Sequence, residues 1–155
     1  MNIELDDFTG RFFSAFDNRG DRRPDFTALQ AMFVPGAVIF KRNGDSTETC
    51  SVASFIEPRA ALLTDGSLTE FHEWETESET VSSGGFATRI CRYGKQGVLR
   101  GRTYAGTGVK FIHFLRMTAG WKISSILWED ADDGAVPPDF RRSGCIHVPR
   151  EAPAC

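Results

Sequence analysis

The stretch from Val109 to Asp130 constrains this chain more than any other. Val-Lys-Phe-Ile-His-Phe-Leu-Arg-Met precedes Thr118-Ala119-Gly120, and Trp-Lys-Ile-Ser-Ser-Ile-Leu-Trp-Glu-Asp follows. Both flanks are rich in β-branched and aromatic residues, and Gly120 tolerates the positive φ of a tight turn. The reading is a long antiparallel hairpin.

A period near two extends upstream. Leu68 to Val81 and Phe86 to Tyr93 read as strands joined by Ser82-Ser83-Gly84-Gly85, and Val98 to Thr107 opens another after a turn at Gly94-Lys95-Gln96-Gly97. Before Leu68 the period is helical. Leu5, Phe8, Phe12, Ala15 and Phe16 recur at three- and four-residue steps between Ile3 and Asn18. Phe26, Leu29, Met32 and Phe33 repeat the stripe in a second helix, opened by Pro24 or Asp25 and ended by Pro35-Gly36. Ala37-Val38-Ile39-Phe40 is then a short strand, and Asn43-Gly44 beyond it fits a hairpin turn or a plain loop. Ser51 caps a third helix carrying Val52, Phe55, Ile56, Leu62 and Leu63 on one face, which Pro58 kinks or delays and Asp65-Gly66 closes.

Helices first and strands second predict an α+β domain, with helices on one face of an antiparallel sheet. At 155 residues the chain can bury one core. We assign residues 1–130 to that domain and 131–155 to an extended, Pro-rich tail.

Composition narrows the function classes. Apolar residues are 41% and charged ones 25%, ordinary globular values, and no apolar run nears the roughly 20 residues of a spanning helix. The N-terminal residues lack a basic region followed by an apolar core, so a cytoplasmic home is expected and a membrane partner is not. Eighteen basic residues are dispersed along a chain of net charge -3, which leaves no concentrated footprint for nucleic acid. Glycine-rich phosphate motifs are missing, so no nucleotide cofactor is expected. Cys50, Cys91, Cys145 and Cys155 are widely spaced without zinc-finger partners, and read as free thiols rather than as a metal site.

Phe13 to Asp21 (Phe-x-x-Phe-x-x-x-Gly-Asp), Leu29 to Ile39 (Leu-x-x-Met-Phe-x-x-Gly-Ala-Val-Ile), Gly120-Trp121-Lys122-Ile123 and Trp128-Glu129-Asp130 stand in an order that resembles the nuclear transport factor 2 (NTF2)-like superfamily, more narrowly its SnoaL-like branch. The resemblance implies a cone: a curved sheet wrapped around three N-terminal helices, enclosing an apolar pocket and dimerising through its outer face. It covers about residues 3–130. Members include isomerases, dehydratases and polyketide cyclases, so the fold leaves the reaction open.

The resemblance also supplies catalytic precedents. In the ketosteroid isomerases, a tyrosine on the first helix and an aspartate after the first strand do the work. Matching puts Phe13 and Lys41 at those places, where a phenyl ring offers no donor and an ammonium is no base. Dehydratases and cyclases use a histidine paired with a carboxylate or a second histidine. His72 and His113 are the strand histidines here, and His147 lies in the tail.

His113 fits a packed or pocket-lining residue, a ligand contact, or an acid/base. With a hairpin loop of two or four residues it faces Ile126 and shares a sheet face with Trp128 and Asp130; a three-residue loop groups it with Ile123, Ser125 and Leu127. Neither register gives it a carboxylate within the hairpin, so a dyad needs Asp17, Glu70 or His72. Phe16, Trp74, His113 and Trp128 are the candidate ligand contacts. Glu73, Glu75, Glu77 and Glu79 alternate along one strand and read as a solvated outer face.

Three readings follow. The first is a homodimeric SnoaL-like protein holding a small apolar molecule in its cone, without a cofactor. The second is a cofactor-free lyase or isomerase using His72 or His113 as acid/base. The third is a protein-interaction module.

Overall fold

A computed structural model describes residues 2–131. The tail assigned to 131–155, with His147, Cys145 and Cys155, lies outside the described residues apart from Ala131. Three helices, α1 (Ile3–Ser14), α2 (Phe26–Ala31) and α3 (Val52–Thr64), lie against one face of a six-stranded sheet. Its strands are β1 (Phe33–Asn43), β2 (Ser46–Ser51), β3 (Leu68–Ser83), β4 (Phe86–Leu99), β5 (Arg102–Met117) and β6 (Gly120–Asp130), in the order β2-β1-β6-β5-β4-β3.

The α+β class holds, and the sheet is mixed: β1 runs parallel to β6 while the other neighbours are antiparallel. Asn43-Gly44 makes a hairpin turn into β2, with Asn43 opposite Ser46 and Gly44 at φ 58°. Phe33 opens β1 rather than closing α2, and Pro35-Gly36 falls where the β1–β6 register slips between Phe33 and Val38. Proline is tolerated at such an irregularity because no ladder hydrogen bond is required there.

α3 starts at Val52 with Pro58 inside it. The reciprocal hydrogen bonds of Ser51 and Ser54 satisfy its N-terminal donors, so the helix begins at this cap and is not delayed to the proline.

The turn expected at Gly94–Gly97 is strand. β3 crowds both glycines: a methyl on Gly94 would sit 2.6 Å from the Trp74 indole, and one on Gly97 3.1 Å from Phe71 Cα. Glycine inside a strand marks such close approach as readily as a turn. The chain reverses instead at Arg100-Gly101, both at positive φ, with Leu99 opposite Arg102.

Phe8, Phe12, Leu29, Ile39, Ile112 and Ile126 fill the core between helices and sheet. Arg89 is buried there too, bonded to both Glu75 oxygens at 2.8 and 2.6 Å, to Thr80 at 2.7 Å and to Asp6 of α1 at 2.7 Å. Those carboxylates hold its pKa above the ordinary arginine value against the opposing effect of burial. This cluster fastens α1 to β3 and β4.

Candidate functional site

Between α1, α3 and the concave sheet face lies a cavity of about 360 Å³. Phe12, Phe16, Phe55, Leu62, Leu63 and Phe71 make its apolar walls. The sheet supplies charge instead: Lys41, Glu73, Lys95, Lys110 and Asp130 face the same space, beside Tyr93 and Tyr104.

Strand register explains how these groups meet. Tyr93 on β4 is opposite Gly108 on β5, and Gly108 is opposite Asp130 on β6, so the three form one row across the sheet. The Tyr93 hydroxyl donates to Asp130 Oδ1 over the bare glycine. A methyl on Gly108 would sit 2.5 Å from Tyr93 Cζ. Two pairs along, Lys95 crosses Gly106, where a methyl would meet its Cε at 2.9 Å, and donates to the same Asp130 oxygen at 2.8 Å. Lys41 Nζ stands 3.7 Å from Asp130 Oδ2. Gly106 and Gly108 are thus a gutter through which two long side chains reach one carboxylate.

Burial pushes the Tyr93 phenol well up, and the Asp130 charge adds to the rise. Burial also pulls the Asp130 carboxyl upward, but hydrogen bonds from Lys95 and Tyr93 and the charges of Lys95 and Lys41 outweigh it and leave it below the usual carboxylate range. For Lys95, burial lowers the pKa while its bond to Asp130 prevails and raises it. Tyr93 is therefore a weak proton donor and Asp130 a weak base, and the cluster suits holding a polar group better than moving protons.

A second ion pair joins Lys110 to Glu73 at 3.0 Å, with the ammonium 3.3 Å from the Tyr93 ring centroid. Glu73 and Glu75 thus point inward, to Lys110 and Arg89, contrary to the expectation of a solvated acidic face. A register shift between Glu75 and Glu77 breaks the alternation, and Glu77 is 60% exposed.

The expected site residues divide between the two faces. Phe16 and Trp128 line the cavity. His113 does not: it pairs with Ser125 on the convex face, and its Nδ1 lies 3.0 Å from the Thr88 hydroxyl. The loop has two residues, Thr118 and Ala119, but a bulge at Ser124 shifts the register between Phe114 and His113 and reverses the parity beyond it. Trp128 consequently shares the concave face with Ile126, and His113 shares the convex one with Leu127.

His72 and Trp74 also lie away from the cavity, stacked at 4.7 Å opposite Gln96 and Gly94. Neither histidine meets an acid that would complete a dyad: Asp17 is engaged by Arg19 and Arg22, and Glu70 accepts from the Gly20 amide. Among the described residues no three His, Cys, Asp or Glu side chains gather as a metal site, and no helix is long and apolar enough to cross a membrane. Cys50 and Cys91 are buried free thiols, and burial pushes Cys91 up to about 12.

A sequence reading that makes Gly94–Gly97 a turn hides Tyr93, Lys95 and the glycine gutter. The signal was present in Gly106-Thr107-Gly108, since glycines at alternate strand positions mark a line of close approach.

Several solved structures align with this chain over most of its length. The fold is NTF2-like. Kfla4162 from Kribbella flavida aligns at TM-score 0.69 and 16% identity over 84% of this chain and 90% of its own. An NTF2-like superfamily protein from Salmonella enterica aligns at TM-score 0.68 and 15% identity, covering 86% and 92%. A candidate dehydratase of the NTF2-like family from Streptomyces avermitilis aligns at TM-score 0.63 and 17% identity, covering 83% and 94%. No family profile matches the sequence, and no curated protein does either. At these identities the NTF2-like likeness is one of fold, and the chemistry has to be argued from the cavity.

Proposed function

We propose that this protein is a cytoplasmic, SnoaL-like binding protein that holds one small, largely apolar molecule in the cavity, with the molecule's polar end at the charged groups of the lining. The observation that carries this reading is the unfilled space of about 360 Å³, charged towards the sheet and apolar towards the helices except for Arg59 of α3. Small-molecule sites have this composition and start near this size. A cone filled by side chains would instead have favoured an interaction module.

The lyase or isomerase reading through a histidine loses its support, because His72 and His113 stand on the face away from the cavity. The Streptomyces avermitilis protein's description as a candidate dehydratase describes that protein, and Asp130, held below the ordinary range, is a poor base for such a step here.

The convex face supplies the second half of the proposal, a homodimer. Phe111 and Leu127 are opposite one another on β5 and β6, each 41% exposed, next to Ile90 on β4. Apolar patches of this kind mark association surfaces, and a symmetric pair of copies covers the patch with itself.

Thermal denaturation with a panel of small aromatic and polyketide-like molecules tests the binding half. A true ligand raises the midpoint saturably, and Leu62→Trp, which fills the cavity, abolishes the rise. A midpoint that no member shifts, or a shift that Leu62→Trp leaves intact, would overturn the reading.

A further inference from the structure

We propose that the cavity takes an organic acid, its carboxylate held between Arg59 and Lys41 beside Trp128 and its apolar body lying among Phe12, Phe16 and Phe55. The inference rests on the binding reading above and adds a ligand class to it.

Lys41, Arg59, Lys95 and Lys110 line the cavity against Glu48, Glu73 and Asp130, an excess of one cation in a chain whose net charge is -3. Glu73 pairs with Lys110 at 3.0 Å, and Asp130 with Lys95 at 2.8 Å. Lys41 reaches the remaining Asp130 oxygen at 3.7 Å. Glu48, exposed on β2, accepts from the Cys50 thiol at 3.4 Å. Arg59 is left without a carboxylate partner among the described residues, its one hydrogen bond running from Nη1 to the Phe55 carbonyl at 2.8 Å.

A guanidinium has five N–H donors in a planar fork, and most of this fork is unspent. Its position is nevertheless set by two rings. The Phe55 ring centroid lies 4.1 Å from Arg59 Cζ and the Trp128 centroid 5.0 Å. Burial lowers the Arg59 pKa, opposed by the more distant charges of Glu73, Cys50, Asp130 and Glu48. Lys41 approaches the same indole at 5.5 Å. Its register explains why: Lys41 is opposite Trp128 in the parallel β1–β6 ladder. Two cations therefore stand over one indole on the cavity wall.

An arginine serving only to pack α3 would be cheaper as a neutral side chain, since a desolvated cation without its own anion is costly. A rigid, stacked fork with spare donors is the arrangement that recognises a planar carboxylate through two parallel bonds. The aromatic walls then select acids with a flat or bulky apolar body over small hydrophilic ones.

Calorimetric titration of the full chain with 2-naphthoate and its neutral isostere 2-naphthamide tests the assignment. We expect naphthoate to bind about tenfold or more tightly than the amide. Arg59→Gln should remove that preference while leaving amide affinity within about twofold, and Arg59→Lys should keep part of it. Lys41→Gln gives a second, independent loss of naphthoate affinity. Circular dichroism establishes that each variant is folded.

Equal affinity for the two probes, no binding of naphthoate, or an Arg59→Gln that weakens both alike would overturn the acid assignment. Amide binding without discrimination would sink only the acid, whereas failure of both probes together with every neutral member of the panel would sink the binding reading too.

Discussion

The Tyr93 hydroxyl reaches the Asp130 carboxylate across an entire strand, because the residue between them in the row is Gly108. No local sequence pattern links positions 93 and 130. The sheet register links them, and the missing side chain at position 108 keeps the path open.

Gly108→Ala should close that path. The added methyl would press against the Tyr93 ring and, at 2.5 Å, against the Glu129 carbonyl oxygen, which is backbone and cannot swing aside. Overpacking of this kind costs about 1–3 kcal/mol. Urea denaturation should show that loss, and Tyr93→Phe combined with Gly108→Ala should cost less than the sum of the two single changes, since both remove the same hydrogen bond. Strict additivity would mean that the tyrosine and the carboxylate are not coupled.

Asp130 should also leave a mark on acid stability. Its folded pKa lies below the unfolded value, so the unfolded chain takes up the proton first as pH falls. The contribution is fully present above the unfolded aspartate value of about 3.9 and is lost as pH drops through the folded value. Denaturation midpoints measured from pH 7 down to pH 3 should therefore fall more steeply below about pH 4 for the wild type than for Asp130→Asn. Parallel curves would show that Asp130 titrates alike in both states.

Most of the fold was legible because it rests on local signals. Phe8, Phe12 and Phe16 announce a stripe, and Gly120 announces a turn with its φ of 108°. The failures share one physical origin, glycine and proline in strands. Gly94 and Gly97 read as a turn, whereas Trp74 and Phe71 need their bare backbone, and Pro35-Gly36 reads as a helix stop, whereas it sits at a slip in the β1–β6 ladder. For the site, one bulge decided the outcome. Ser124, whose hydroxyl donates to the His113 carbonyl at 3.2 Å, turns His113 out and Trp128 in, and no hydrophobic pattern in the hairpin distinguishes that from an unbroken ladder. Phe16 lay on a clear apolar stripe, whereas the Tyr93, Lys95 and Asp130 cluster depends on three strands at once.

Arg89 offers a test of what fastens α1. Its side chain is 5% exposed and carries two carboxylates, Glu75 and Asp6. Arg89→Ala strands the inward-facing Glu75 without its cation and should cost about 3–5 kcal/mol. Arg89→Met with Glu75→Gln, which removes the charge from both, should recover part of that loss in chemical denaturation. A double variant no better than Arg89→Ala would point to lost packing rather than a stranded charge.

The homodimer proposal can be decided on the convex face without touching the cavity. Phe111 and Leu127 project away from the ligand side, so an aspartate at either position perturbs the outer patch alone. Phe111→Asp in two copies related by a twofold axis brings like charges into an apolar contact, which costs each copy its burial and adds repulsion. Sedimentation velocity of the wild type should give a dimer that Phe111→Asp converts to a monomer, with Lys122→Glu, on a half-buried side chain near the hairpin turn that donates to the Ala31 carbonyl, leaving the dimer intact. Ligand-induced stabilisation should survive in the monomer, because the cavity is built wholly from one chain's helices and sheet. A wild type that sediments as a monomer at all concentrations would remove the dimer and leave the cavity argument standing.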